Sequence, residues 1–176
     1  EFRLPTLTTV KIPLGVDTNK FNIAEIKKKN LVREKYKIPL KSVVIGSFQK
    51  DGIGWKEGLN PKYIKGPDIF IEALKGLKRK GFPVFVVLTG PARGFVKEGL
   101  KINNIPFIHL YVSNMYELIP LYQALDMYFV TSREEGGPMG LLESIACGAA
   151  AVSTNVGMAG DLIDDGINGF LTKDFD

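Results

Sequence analysis

Glu135 and Glu143 stand with seven residues between them, Gly136-Gly137-Pro138-Met139-Gly140-Leu141-Leu142, and this spacing suits ligand binding. Two glycines and a proline make a tight turn, and a helical composition follows from Met139. The first amides of a helix lack intrahelical partners and carry the positive end of its dipole. The amides of Met139, Gly140 and Leu141 are therefore expected to receive an anion, with a diphosphate the natural choice. Glycine lets a ligand approach the backbone closely. Glu135, on the loop, can accept hydrogen bonds from sugar hydroxyls. Glu143, near the start of the helix, can hold a second pair, such as those of a ribose. Taken singly each acid has a plainer reading: Glu143 as a partner of the helix dipole, Glu135 as a solvated loop acid beside Arg133 and Glu134. With the glycines between them, the two acids point to a site.

The remaining chemistry-bearing residues are few. Cys147 is the only cysteine and His109 the only histidine. Internal disulfides are thus ruled out, as is a zinc site of the usual Cys/His kind, and a Ser-His-Asp triad would have to run through His109. Cys147, among small residues in Ala146-Cys147-Gly148-Ala149-Ala150, reads as a buried filler thiol. A formal charge of +4 and a pI near 9.1 fit phosphate-bearing ligands. Lys27-Lys28-Lys29 falls in a helical stretch, 23–36, and reads as a solvated face rather than a nucleic-acid surface. A weak peripheral contact with an anionic membrane stays open. The lack of a cysteine pair, signal peptide or membrane-length apolar run leads to the expectation of a cytoplasmic location.

The positioning elements follow from alternating apolar runs and helical periods. Strands are expected at 43–48, 84–89, 107–110, 127–130, 150–154 and 169–172. Helices are expected at 67–80, 96–102, 115–124, 139–147 and 159–163, with Pro67 suited to a first turn. The run 84–89 is apolar throughout, as in strands buried on both faces. Six strands with five helical crossovers make an α/β, doubly wound, parallel sheet of Rossmann-like type. Such sheets bind ligands at the carboxyl ends of their strands, where the strand order reverses. For the order 3-2-1-4-5-6 that crevice lies between loops 49–66 and 132–138, the two most unusual stretches of the sequence. Residues 1–17 read as a segment leading into a domain at 18–176. Both ends are expected to be cut from a longer protein.

The run 132–171 resembles the donor-site signature of group 1 retaining GT-B glycosyltransferases with a Glu-x7-Glu motif. The matching residues are Glu135, Gly136, Pro138, Leu142-Glu143, Ala146, Gly148 and Asn168-Gly169-Phe170-Leu171. Ile12-Pro13-Leu14-Gly15-Val16-Asp17 and Lys65-Gly66-Pro67-Asp68 resemble two further family segments. The resemblance implies the C-terminal, nucleotide-sugar-binding half of a GT-B fold. That half would move a hexose from a nucleoside diphosphate to an unknown acceptor held by an N-terminal domain, and would not turn over alone. It implies that Glu135, the catalytic residue, holds and positions the donor sugar, that Glu143 holds the ribose, and that Lys65 holds the diphosphate. The amides of Gly136, Gly137, Met139, Gly140 and Leu141, around Pro138, would hold sugar and phosphates. A cation is needed as the leaving nucleotide gains charge; GT-B enzymes use protein cations, so neither metal nor cofactor is expected.

Some positions depart from that pattern. The family has an arginine after the first strand, where this chain has Gly46-Ser47 and then Lys50. Either Lys50, beside Ser47, substitutes, although lysine lacks arginine's bidentate grip, or Arg93 helps from the next strand's loop; a solvated loop residue fits Arg93 equally well. Loop 49–64, with Trp55 and three glycines, is long for its place; a substrate-contacting flap and a plain surface insertion both fit. Tyr111, in the loop after the third strand, can stack on a base, but an aromatic at a strand end is more often core. Three rivals remain. A Rossmann oxidoreductase is disfavoured because 46–50 lacks Gly-x-Gly-x-x-Gly. A GT-B-like phosphorylase and a non-catalytic nucleotide-binding module share the architecture.

Overall fold

In the computed structural model, which describes residues 12–172, six parallel strands form one sheet in the order β3-β2-β1-β4-β5-β6. These are β1 (Val43–Phe48), β2 (Val84–Thr89), β3 (Phe107–Leu110), β4 (Met127–Val130), β5 (Ala150–Thr154) and β6 (Gly169–Thr172). All six coincide with the runs expected from the sequence, and the doubly wound order is the one expected. β1 pairs in register with β2 from Val43↔Val84 to Phe48↔Thr89, and on its other side with β4 at Ile45↔Met127. The reversal of direction therefore falls between β1 and β4.

Side-chain alternation explains why both faces are covered. Val44, Phe85, Val87, Tyr128 and Val130 join one core cluster, while Ile45, Val84, Val86, Leu88 and Phe129 join the other. Helices α2 (Pro67–Arg79) and α3 (Gly94–Ile102) supply Phe70, Leu74, Val96 and Leu100 to the second cluster. Helices α4 (Leu118–Ala124), α5 (Met139–Ala146) and α6 (Ala159–Leu162) feed the first, with Tyr122, Leu141 and Ala159.

Helix α1 (Ile26–Lys35) is held differently, because Arg33 is its one buried residue. Arg33 donates to Ala124 O at 2.9 Å and lies 2.8 Å from Asp126. Lys29 donates to Asp126 Oδ1 and to Leu125 O, both at 2.7 Å. The lysine cluster is thus a solvated face only in part: Lys27 and Lys28 are exposed, whereas Lys29 is anchored. Burial pushes the Asp126 carboxyl up, but the bonds from Lys29, the Val44 amide and Arg33 outweigh it and hold it below the usual range.

The helix expected at 115–124 divides into a 3-10 turn, Met115–Glu117, and α4. Asn114 caps that turn, accepting from the amides of Tyr116 at 2.9 Å and Glu117 at 3.3 Å. Pro120 then sits in the first turn of α4, where no amide is missed. Of the lead-in segment, residues 1–11 lie outside the described residues. Leu14 lies against the 135–138 loop: a Cβ on Gly137 would come within 2.7 Å of its Cδ1. Among the described residues no helix is long and apolar enough to cross a membrane.

Candidate functional site

The two loops of the crevice are fastened to each other. Gly66 adopts φ 60° and ψ 41°, and a Cβ there would sit 1.7 Å from Thr131 O. Only glycine lets the chain pass so close. Thr131 Oγ1 donates to Gly66 O at 2.8 Å, and the Arg133 amide donates to Ile64 O at 2.8 Å. Arg133 also grips both Asp68 oxygens, at 2.9 and 2.7 Å, and Tyr63 O at 2.6 Å. That bidentate bond from Arg133 holds the Asp68 carboxyl below its ordinary range.

This fastening brings Lys65 opposite Glu135. Lys65 Nζ donates to Glu135 Oε1 in an ion pair, and Ser132 Oγ donates to the same oxygen at 3.1 Å. The side chains keep 23% and 15% of their surface exposed, so a ligand can reach both. Beside them lies an open cleft of ≈400 Å³ lined by Lys62, Ile64, Lys65, Glu134, Glu135 and Gly136. The loop is supported from below by Gly157, where a Cβ would meet Gly136 O at 2.5 Å. Thr154 Oγ1 donates to Ser132 O at 2.5 Å. A larger cavity of ≈470 Å³ lies between α2 and strands β4 and β5. It is lined by Asp68, Glu72, Arg79 and Arg133 over apolar sheet side chains such as Phe129 and Val152, and it lies apart from the Lys65–Glu135 pair, so the smaller cleft is the better candidate.

The helix start is only partly as expected. Pro138 is the N-cap of α5, and Met139 and Gly140 open its first turn. The Leu141 amide, however, donates to Pro138 O at 2.9 Å and its side chain is core. Leu141 is therefore corrected from ligand contact to packing residue. Gly136 has open space around it, as a ligand-facing glycine needs, but Gly140 does not: a Cβ there would come within 2.3 Å of the Tyr128 hydroxyl and 3.1 Å of the Tyr122 hydroxyl. Glycine at 140 makes room for two tyrosines.

Glu143 is buried and accepts a hydrogen bond from the Tyr122 hydroxyl at 2.7 Å. Burial raises its carboxyl above the ordinary range, and the Tyr122 bond counters this. The same surroundings push the Cys147 thiol up to about 11, which fits the filler role.

Arg93 and Ser47 are corrected as well. Arg93 is 0% exposed and donates to Ser47 O at 2.7 Å, Gln49 O at 2.7 Å, Thr89 O at 3.0 Å and Ser47 Oγ at 3.1 Å. Its guanidinium lies 3.0 Å from Asp51, itself 1% exposed. Burial lowers the Arg93 pKa and raises that of Asp51, each opposed by the partner. Both Arg93 and Ser47 are tied up beneath the ends of β1 and β2, with no surface to offer a ligand. Lys50 sits 3.6 Å over the Trp55 ring, an attraction to the ring face rather than to an anion. Loop 49–64 folds as a small hairpin, with Ile53 donating to Asn60 O at 2.8 Å and Trp55 exposed at its tip.

His109 Nε2 donates to Gly90 O at 2.8 Å, and no triad forms around it among the described residues. Tyr111, whose place leaned towards the core, is 75% exposed. Sequence reasoning missed Tyr122, Tyr128, Asp51 and Arg33. The signal for the tyrosines was a polar tip inside apolar runs, Leu121-Tyr122-Gln123-Ala124 and Met127-Tyr128-Phe129-Val130, which burial forces to find a partner.

Comparison with known proteins bears on this geometry. Residues 59–176 match the family model described as glycosyl transferases group 1. An uncharacterized glycosyltransferase of Methanocaldococcus jannaschii is 29% identical over 110 residues, which is 62% of this chain and 30% of that protein. The C-terminal domain of a glycosyl transferase group 1 family protein (LpcC) from Francisella tularensis superposes with a TM-score of 0.67 at 26% identity, over 90% of this chain and 80% of that domain. HepE from Anabaena, solved with UDP-glucose, gives a TM-score of 0.70 at 24% identity, over 90% of this chain and 42% of HepE. The chain thus spans less than half the length of the HepE and Methanocaldococcus relatives.

Proposed function

The chain belongs to the group 1 glycosyl transferases, and from that premise we propose that it is the donor-binding part of a metal-independent, cytoplasmic enzyme that moves a hexose with retention of configuration. In this reading a nucleoside diphosphate sugar lies in the cleft between loops 49–66 and 132–138. Glu135 accepts hydrogen bonds from the sugar, Glu143 from the ribose, and Lys65 meets the diphosphate. Transfer breaks the bond between the anomeric carbon and the diphosphate oxygen, whose electron pair leaves with the nucleotide, and forms a bond from that carbon to an acceptor hydroxyl oxygen, whose proton passes to the departing diphosphate. The Lys65 ammonium offsets that charge as a cation already placed where it develops. A separate domain brings the acceptor, so the 176-residue chain binds donor without turning it over.

The observation that carries the reading is the Lys65–Glu135 ion pair on two fastened loops at the carboxyl edge of the sheet. A diphosphate oxygen can take the lysine from the carboxylate, and sugar hydroxyls can take the carboxylate from the lysine. The bound UDP-glucose of HepE and the family membership point the same way. Calorimetric titration with UDP-glucose, GDP-mannose and NADH tests it. One of the sugar nucleotides is expected to bind, NADH is not, and Lys65→Ala is expected to weaken binding about tenfold or more. Equal binding of NADH, or no loss in Lys65→Ala, would overturn the reading.

A further inference from the structure

Glu143 is bonded to one member of a cluster of three aromatic side chains, Tyr122, Phe48 and Tyr128. Tyr122 from α4 donates to Glu143 Oε2 at 2.7 Å. Its ring is packed against Phe48 at the end of β1, with centroids 4.7 Å apart, and against Tyr128 at 5.6 Å. Tyr128 is fixed in turn by the Phe48 amide, which donates to its hydroxyl at 3.1 Å. Gly140 leaves space for both hydroxyls, since a Cβ there would come within 2.3 Å of one and 3.1 Å of the other. Tyr122 is 1% exposed, so its hydroxyl has no bulk water to fall back on, and a buried phenol held in this way has one orientation.

We propose that Tyr122 is a positioning residue for nucleoside recognition: by occupying Oε2 it turns the Glu143 carboxylate so that Oε1 faces the cleft and takes a vicinal diol, the chemistry of a ribose. This rests on the reading of Glu143 as the ribose ligand. The tyrosine does not touch the nucleotide. It acts through the acid, as an orienting group holds a catalytic or binding side chain within a narrow range of angles. The bond also favours the charged form of the acid, the form that accepts two ligand hydroxyls.

The charged and titratable groups facing Glu143 are Tyr122 on α4, Tyr128 on β4 and Cys147 at the end of α5. Tyr128 is pushed up to about 12, Cys147 up to about 11, and Tyr122 well above its ordinary value by burial first and by Tyr128 and Glu143 after it. None of the three changes charge in the mildly acid range, so the part of the acid change in ligand affinity that disappears in Glu143→Gln reports Glu143. The carboxylate is present above its pKa and is lost as pH falls through it. Removing the Tyr122 donor raises that pKa, so the acid loss of affinity moves to higher pH.

The test is calorimetric titration of UDP and of 2′,3′-dideoxyuridine diphosphate into the full chain across the acid to neutral range. The wild type, Glu143→Gln, Tyr122→Phe and a variant with 4-aminophenylalanine at 122, which restores a donor, are compared, with urea midpoints to check folding. Ionisation of the ligand's own phosphates is common to all curves and cancels between variants. In Tyr122→Phe the preference for UDP over the dideoxy ligand is expected to fall about fivefold and the acid midpoint to rise. The amino variant is expected to recover most of both. If the Phe variant does not fold, a raised midpoint in the amino variant, a weaker donor than the phenol, supports the same role for Tyr122. A wild type that does not distinguish the two ligands, or a Glu143→Gln that keeps the distinction, overturns the reading of Glu143 itself. Loss of the distinction in Glu143→Gln with both preference and midpoint unmoved in the position-122 variants overturns the role of Tyr122 alone.

Discussion

Two of the cation–carboxylate pairs at the carboxyl edge of the sheet, Lys65–Glu135 and Arg93–Asp51, differ in one physical respect. Lys65–Glu135 keeps 23% and 15% of its side-chain surface in water, whereas Arg93–Asp51 keeps 0% and 1%. A pair that water reaches can be exchanged for a ligand at modest cost, because each charge is still partly hydrated when its partner leaves. A sealed pair cannot, since separating it strands a charge in a poorly polar interior. Arg93 moreover donates to the carbonyls of Ser47, Gln49 and Thr89, which ties the ends of β1 and β2 together. Gln49 then donates to Lys65 O at 3.2 Å. The buried cation therefore shapes the wall on which the accessible one stands. Charge type and loop position make the two alike in sequence; burial divides their work.

The largest effect is expected from breaking the sealed pair. Neither Asp51 oxygen accepts a well-aligned hydrogen bond among the described residues, so Arg93 is its main compensation. Arg93→Met should cost about 3–5 kcal/mol in urea unfolding. Asp51→Asn should cost clearly less, because the arginine keeps its carbonyl acceptors. Equal losses would mean that the carbonyl bonds do not matter, and the division of work between the two pairs would fail.

Next comes the accessible pair. Glu135→Gln in the assembled enzyme should lower transfer about 10²-fold while unfolding free energy moves by less than about 1 kcal/mol. A rate loss matched by an equal stability loss would place Glu135 among the structural acids with Asp51. Smaller again is Gly66→Ala. Its positive φ and the contact with Thr131 O should cost about 1–3 kcal/mol. By shifting Lys65 away from Glu135, the change should also weaken nucleotide binding measured by calorimetry.

The sheet was legible because its signals are collective. All six strands announce themselves as apolar runs, and the crossovers allow few orders once handedness is respected. The meeting of Lys65 with Glu135 was legible for the same reason, as a consequence of the switch between β1 and β4. What could not be read was the direction of single side chains. Arg93 and Lys50 lie in similar polar loops, yet one turns inward to carbonyls that exist only after β1 and β2 pair, and the other lies on Trp55. Gly140 looked like a ligand-facing glycine, but its space is claimed by tyrosines from α4 and β4, distant in sequence. Such long-range claims on volume leave no local pattern.

The smallest effect sharpens the contrast from its exposed end. Asp68 and Arg133 fasten the same loops bidentately, yet their side chains are 34% and 35% exposed. Solvent screening should therefore hold the contribution of Asp68 to stability below about 1 kcal/mol despite its two short bonds. Because the bond from Arg133 lowers the Asp68 pKa, that contribution is fully present above the ordinary aspartate value of 3.8. It is lost as pH falls through the lower folded value. Urea unfolding of Asp68→Asn should thus differ slightly from the wild type at neutral pH, and the difference should shrink in strong acid and in high salt. A loss as large as that of Arg93→Met would show that bidentate geometry, rather than burial, sets the strength of ion pairs along this edge.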